Sequence, residues 1–387
     1  MKKQKENKDS EFVLEAKDIC YSYDSGGFSM DNVNLKIRRG TKSVLMGANG
    51  AGKSTLFYHF NGIIKPEKGT VLYNDTPVSY RKKALIRMRS DVGVVFQNPD
   101  DQIFAPIVKD DVAFGPKNMG LSNDEVEARV EEALFQTGLT EFKEKGTMQL
   151  SYGQRKRVAF AGVMAMRPKI LIMDEPTAGL DPQMAREVIE FAEQLHHRGV
   201  TIIMSIHDTD LSYAWADEMH VLRGGKHIYS GLPEGFYADP VQVHLSGLTM
   251  PSMLQMNDSI ASIHKKDPEP YPKTTTQLIS KLSPKGKDTG TIYLHNVEDM
   301  TEDSMMNVTE RNNSESKIGI YGILARRTAV KNKLHIDFYY DAIESCVMEA
   351  IHGRDSILLC DKEVSELVTS KVSTIKRFGT EVDVQKV

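Results

Sequence analysis

VLMGANGAGKSTLFYHF (44–60) decides the fold. An apolar run, VLM, leads into GANGAGKS (47–54), and a helix-compatible stretch follows. This is G-x-x-x-x-G-K-S in the strand–loop–helix setting that a phosphate-binding loop requires. The glycines let backbone wrap close to a phosphate chain, so successive N–H groups and the next helix N-terminus face the anion. Gly47, Asn49, Gly50, Ala51, Gly52 and Thr55 form or flank that cradle. Lys53 is placed to reach the β- and γ-phosphates, and the Ser54 hydroxyl to ligate Mg²⁺. The pattern predicts a nucleotide site.

Outward from this loop, short continuous apolar runs recur: VGVVF (92–96), ILIMD (170–174) and TIIMSIH (201–207). Runs of that length, rich in Val, Ile and Met, suit strands buried on both faces of a parallel sheet. Helical patterns lie between them. Asn123–Thr137 follows an N-cap candidate in Ser122, and Pro182–His197 carries apolar residues at helical intervals. Alternating strands and helices indicate an α/β fold. ILIMDEP (170–176) ends in two acids. In phosphate-loop enzymes an acid at this strand end holds Mg²⁺, a role that fits Asp174. Glu175, the next residue, is placed to orient and deprotonate an attacking water.

Composition narrows the class. Of 387 residues, 40% are hydrophobic and 26% charged, enough to bury a real core. The 49 Lys+Arg against 53 Asp+Glu give a net charge of −4, which does not favour nucleic-acid binding. No apolar stretch approaches the length of a membrane span. The start, MKKQKENKDSE, has no apolar signal core. Three cysteines (Cys20, Cys346, Cys360) lack zinc-type spacing. The expectation is a soluble, reduced, cytosolic protein that meets a membrane only through partners.

The motifs together resemble the ATP-binding-cassette ATPases. GANGAGKS resembles the phosphate loop of that family, Gln97 its glutamine loop, LSYGQ (150–154) its LSGGQ signature, ILIMDE its Mg²⁺ strand, AGLD (178–181) its D-loop, and His207 its switch histidine. Tyr23 sits where the family stacks an aromatic ring on adenine, with Tyr21 as the rival. The resemblance covers residues 12–245. It implies a RecA-like core with an antiparallel β subdomain and a helical signature subdomain. KSTLFYHFNGIIKPEKG (53–69) and VGVVFQNPDDQIFAPIVKDDVAFGP (92–116) narrow it to the ATPase subunits of energy-coupling-factor importers, CbiO-type cobalt/nickel members above all.

The resemblance implies ATP and Mg²⁺ as the bound species. Ser54, Asp174 and Gln97 would serve the metal, and Lys53, Glu175, His207 and Gln97 the chemistry. Ser151, Gly153 and Gln154 would cap the γ-phosphate of an opposite subunit, and Asp181 would link the two sites. The partners implied are a second ATPase copy (or a related one), an integral-membrane coupling subunit and a substrate-capture subunit at the cytoplasmic face of the membrane, with no nucleic acid. A vitamin importer motor, and less so a soluble cassette acting on nucleic acid, are the competing readings. Two positions depart from the family. Tyr152 stands where glycine is usual, and Thr249 where an arginine is common.

Residues 1–11 read as a polar disordered tail and 246–285, with Pro251, Pro268, Pro270, Pro272 and Pro284, as an extended linker. A second α/β pattern fills 286–387, with strand-like TIYLHN (291–296), KIGIYGIL (317–324), HIDFYY (335–340) and SILLC (356–360). This small domain lies outside the cassette resemblance. A regulatory or dimer-stabilising role and a plain structural appendage are equally open for it.

Overall fold

The structure is a computed structural model describing residues 10–23, 28–284, 288–301, 308 and 316–387. Most of the expected N-terminal tail therefore lies outside the described residues. Ser10 does not belong to a tail: it is buried, and its carbonyl accepts the Arg39 Nε–H at 3.0 Å. The chain divides into two units. Among the described residues, those up to 188 and 198–250 form the first, and 189–197 with those from 251 onward the second.

In the first unit, β1 (Phe12–Ser22), β2 (Phe28–Arg38), β4 (Lys68–Tyr73) and β5 (Thr76–Pro77) make an antiparallel sheet in the order β2-β1-β4-β5. The central sheet runs β10-β9-β3-β8-β7-β6. Its strands are β3 (Lys42–Met46), β6 (Val92–Val95), β7 (Ile170–Asp174), β8 (Thr201–Ser205), β9 (Glu218–Arg223) and β10 (Lys226–Gly231). All neighbours are parallel except β9 and β10. Every residue of β6, β7 and β8 is buried, as the unbroken apolar runs required. Helix α1 (Lys53–Phe60) lies between the two sheets, its Leu56, Phe57 and Phe60 in one core with Leu14, Met30 and Ile172.

After α2 (Lys82–Asp91), helices α3 (Val108–Asn118), α4 (Asn123–Gln136) and α5 (Tyr152–Met164) pack on one another as a helical subdomain. The Ser122 hydroxyl accepts the Glu125 N–H at 3.3 Å, capping α4 where the sequence signalled it. Helix α6 (Pro182–His197) begins in the first unit, and its residues 189–197 pack with the second. The first unit ends in α7 (Thr209–Trp215), α8 (Pro233–Tyr237) and α9 (Pro240–Leu245).

The expected linker is instead helical. Helices α10 (Ser252–His264) and α11 (Thr275–Leu282) occupy it. The prolines fall outside both helices, where they do not break an i→i−4 bond, and Leu254, Asn257 and Ala261 keep helical spacing on the buried side of α10. The sheet of the second unit is wholly parallel, in the order β12-β13-β11-β14, from β11 (Thr291–Asn296), β12 (Lys317–Tyr321), β13 (Ser356–Cys360) and β14 (Asp383–Lys386). It has a core on each face. Ile320, Ile357 and Leu359 pack with α12 (Ile323–Lys331), and Ile292, Leu294 and Leu358 with α13 (Ala342–Ile351) and α14 (Ser365–Thr374).

HIDFYY forms no named strand. Phe338 makes only an isolated bridge to Gly319, because its loop makes three backbone hydrogen bonds with Ile318 and Ile320 of β12 and then leaves for α13. The start of α12, where an anion would sit in such a fold, is filled from within. The Asp361 carboxylate accepts the N–H groups of Ile323, Leu324 and Ala325 at 2.8–3.2 Å.

Candidate active site

Strand β3 delivers the 47–52 loop to the mouth of a cleft of about 620 Å³. The loop needs its glycines. Gly47 has φ 141°, and a Cβ there would stand 2.2 Å from the Leu222 carbonyl oxygen on β9. Gly52 has φ 103°, and a Cβ there would meet Ser29 O and Met30 Cε at 2.7 Å. No side chain caps the start of α1, so the helix end is left to the cleft. Lys53 is buried and donates to the carbonyls of Gly47 at 2.8 Å and Ala48 at 3.3 Å. Burial pushes its ammonium below the ordinary lysine value, against the pull of Glu175 and Asp174.

Asn49, Gly50, Gly52, Lys53, Ser54 and Thr55 line one side of the cleft. Tyr23 lines it too, 41% exposed, with its hydroxyl 3.3 Å from Thr55 Oγ1. Tyr21 does not. Its ring is held edge-on between Tyr23 and His59 against the core. Ser29, which the sequence did not single out, also faces the cleft and shares a 2.9 Å hydrogen bond with Thr55.

Gln97, Glu175 and His207 also line the cleft. Strands β7 and β8 pair Asp174 with Ser205 in register. The Ser205 hydroxyl donates to Asp174 Oδ1 at 2.6 Å and accepts the Glu175 N–H at 2.8 Å. Asp174 is thereby fixed at the strand end, 3% exposed. Glu175 turns out of the strand with φ 45°, a left-handed conformation that costs a non-glycine residue on the order of 1–3 kcal/mol. That turn aims its carboxylate at the cleft. Gln97 Nε2 donates to Glu175 Oε2 at 2.7 Å, and His207 Nε2 bonds to Oε1. One carboxylate is thus gripped by an amide and an imidazole from two other segments.

The donor set of Ser54, Asp174 and Gln97 is hydroxyl, carboxylate and amide oxygen. Such hard oxygens suit Mg²⁺, which keeps few protein ligands and takes the rest from phosphates and water. Among the described residues no cluster of three or more His, Cys, Asp or Glu offers a self-contained metal cage.

The remaining predicted residues do not line this cleft in their own chain. Ser151 caps α5 in a reciprocal box. Its Oγ accepts the Gln154 N–H at 3.3 Å, and its N–H donates to Gln154 Oε1 at 2.9 Å. Gly153 lies so close to Met184 that a Cβ would meet Cε at 2.3 Å. Asp181 Oδ1 accepts the Met184 N–H at 2.8 Å at the start of α6. Gly47 and Ala51 belong to the loop, and neither they nor the buried Asp174 line the cleft. Besides Ser29, two more residues escaped the sequence. Ser205 was signalled only as a polar end to an apolar strand. Lys156, wholly buried, gave no signal beyond the basic stretch RKR.

The comparisons with known proteins bear on the family. The ABC transporter family matches residues 30–178. The energy-coupling factor transporter ATP-binding protein EcfA2 of Methanospirillum hungatei is 38% identical over 371 residues, 93% of this chain and 92% of that protein. That alignment necessarily extends into the second unit. The corresponding EcfA of Methanocaldococcus jannaschii is 46% identical over 256 residues, 66% of this chain and 91% of its own. Among solved structures, cbiO1 of Clostridium perfringens, part of the ABC transporter complex cbiONQ, is 38% identical with a TM-score of 0.55, covering 66% of this chain and 99% of that one. The dimeric post-hydrolysis ATP-binding cassette MJ0796, bound to ADP and Pi, is 26% identical with a TM-score of 0.54, covering 58% and 100%. With a phosphate loop, a paired acid strand and a relative aligned almost end to end, this chain belongs to the ATP-binding proteins of the energy-coupling factor transporters, ATPases of the ABC type.

Proposed function

We propose that this chain is the motor of a cobalt or nickel importer, working as a dimer at the cytoplasmic face of the membrane beneath an integral-membrane coupling subunit and a substrate-capture subunit. The observation that carries the reading is the 38% identity to cbiO1 across 99% of that chain. The FQNPDDQIFAP run (96–106) supports the same branch. An exposed aromatic pair, Phe104 and Phe114 with centroids 4.3 Å apart, lies on and just beyond that run and supports a docking role for it. Buried aromatic anchors are the usual centre of such contacts.

In this reading the 47–55 loop N–H groups and Lys53 hold the ATP phosphates, and Tyr23 stacks on the adenine. Ser54, Asp174 and Gln97 would hold Mg²⁺, which supplies charge neutralisation on the phosphate oxygens. Glu175 takes the proton of the attacking water, Gln97 and His207 keep its carboxylate aimed, and His207 also faces the γ-phosphate. Ser151, Gly153 and Gln154 would complete the site of the opposite subunit, since the capped end of α5 is a helix N-terminus suited to anions. Asp181 would couple the two sites across a two-fold interface. Closure on ATP and release after hydrolysis make a γ-phosphate-controlled switch.

Uptake of labelled cobalt and nickel, compared between cells carrying the wild-type chain and cells carrying Lys53→Ala, tests the cargo. The proposal expects uptake of at least one ion to collapse in the variant. Equal uptake of both ions in the two strains would remove the metal reading and leave a vitamin cargo to be tried.

A further inference from the structure

Lys156 sits in the second turn of α5 and is 1% exposed. A buried ammonium is costly unless hydrogen-bonded, and this one is not matched to a carboxylate. It donates instead to two backbone carbonyls, Glu175 O at 3.2 Å and Ala178 O at 3.0 Å. Burial pushes its pKa down to about 8, against the pull of Glu175 and Asp174. The two carbonyls bracket one turn, closed by the Ala178 N–H on Glu175 O at 3.1 Å. At the head of that turn Glu175 has φ 45°, a conformation that persists only where the surroundings hold it. Charge-assisted bonds from a fixed ammonium are strong enough to do so.

Tyr152 lies one turn earlier on the same face of α5. Its ring comes within 3.1 Å of where a Gly179 Cβ would be, its hydroxyl donates to the Gln97 carbonyl at 3.4 Å, and the Lys156 ammonium lies 5.9 Å from its centroid. One turn of α5 therefore touches the backbone of Glu175 and of Gln97, two residues already joined through their side chains.

We propose that Lys156, seated under Tyr152, is a positioning residue for Glu175. It locks the 175–178 turn so that the carboxylate points into the cleft, and Tyr152 holds the Gln97 backbone to the same helix. Tyr152, the departure from the family signature, gains a role within its own subunit. Where the dimer reading of the previous section holds, the helix end that caps a partner's γ-phosphate also sets the carboxylate of its own site. The lock itself needs no dimer.

The test uses the purified full chain as wild type, Lys156→Met, Lys156→Arg and Tyr152→Ala. Steady-state hydrolysis of MgATP gives kcat and KM, and amide hydrogen exchange without nucleotide reads the 174–181 segment. The proposal expects Lys156→Met to lower kcat by about 10- to 100-fold with KM within about threefold, a loss confined to the transition state. It expects faster exchange at Ala178 and Leu180, with the 44–60 segment unchanged. Lys156→Arg should recover most of kcat, and Tyr152→Ala should lose about fivefold with a smaller rise in exchange. A kcat for Lys156→Met within twofold of wild type, or unchanged exchange at 174–181, overturns the proposal. If Lys156→Met does not fold, Tyr152→Ala decides by the same two readouts, and wild-type kcat with unchanged exchange overturns it. Failure of the dimer reading shows separately, as no ATP-dependent dimer in a Glu175→Gln background.

Discussion

The Ser205 hydroxyl donates to Asp174 at 2.6 Å from the neighbouring strand, and the same oxygen receives the N–H of Glu175 at 2.8 Å. One buried serine thus fixes both acids of the site. Ser205→Ala strips a donor from Asp174 and leaves the half-buried Glu175 N–H without its acceptor. The expected cost is about 1–3 kcal/mol of stability. A fall in kcat of about tenfold or more should accompany it, because Glu175 is no longer held at its turn. Denaturant unfolding followed at Trp215, together with steady-state ATP hydrolysis, checks both effects. An unchanged kcat would show that the serine is structural alone.

Gly47→Ala tests the loop. The added methyl would lie 2.2 Å from the Leu222 carbonyl, a backbone atom of a central-sheet strand that has no room to move. The variant should lose nucleotide binding by at least about tenfold, because the cradle and the Lys53 anchor on the Gly47 carbonyl shift together. Binding of a fluorescent ATP analogue measures it, with circular dichroism confirming that the chain still folds. Wild-type affinity in a folded variant would contradict the close approach.

The second unit should respond to pH through Glu190. Its carboxylate pairs with Arg326 at 2.5 Å, yet burial outweighs that partner and pushes its pKa from 4.5 up to about 7. The folded unit then binds this proton more tightly than the unfolded chain, so its stability is highest below about pH 4.5 and falls as pH rises to about 7. Hydrogen exchange of β12 and β13 across pH 4.5–8, corrected for intrinsic rates, should show protection declining in the wild type. Glu190→Gln should flatten that slope. Equal slopes in the two proteins would assign the dependence elsewhere.

Much of the cassette was legible because its signals are local. The runs at 92–96, 170–174 and 201–207 are strands buried on both faces, and such strands have no polar face to confuse the reading. Ser122 announced α4 by its hydroxyl, and the glycines of 47–52 announced the loop by their spacing. What escaped depends on register and tertiary neighbours. Ser205 matters because it stands opposite Asp174, which no spacing along the chain reveals. Lys156 matters because α5 passes over the 175–178 turn. Helices α10 and α11 were hidden by proline content, since prolines that flank a helix and prolines in an extended segment give the same composition. HIDFYY has the residues of a strand but spends its backbone on one bridge before turning away.

In the proposed function Glu175 activates water in the cleft that takes ATP. The direct measurement is phosphate release from MgATP by the purified wild-type chain and by Glu175→Gln, at matched saturation and with bound nucleotide quantified. The prediction is a loss of about 100-fold or more in kcat, in the range of general-base removal, with ATP affinity retained. A variant that binds ATP and turns it over at the wild-type rate would contradict the account.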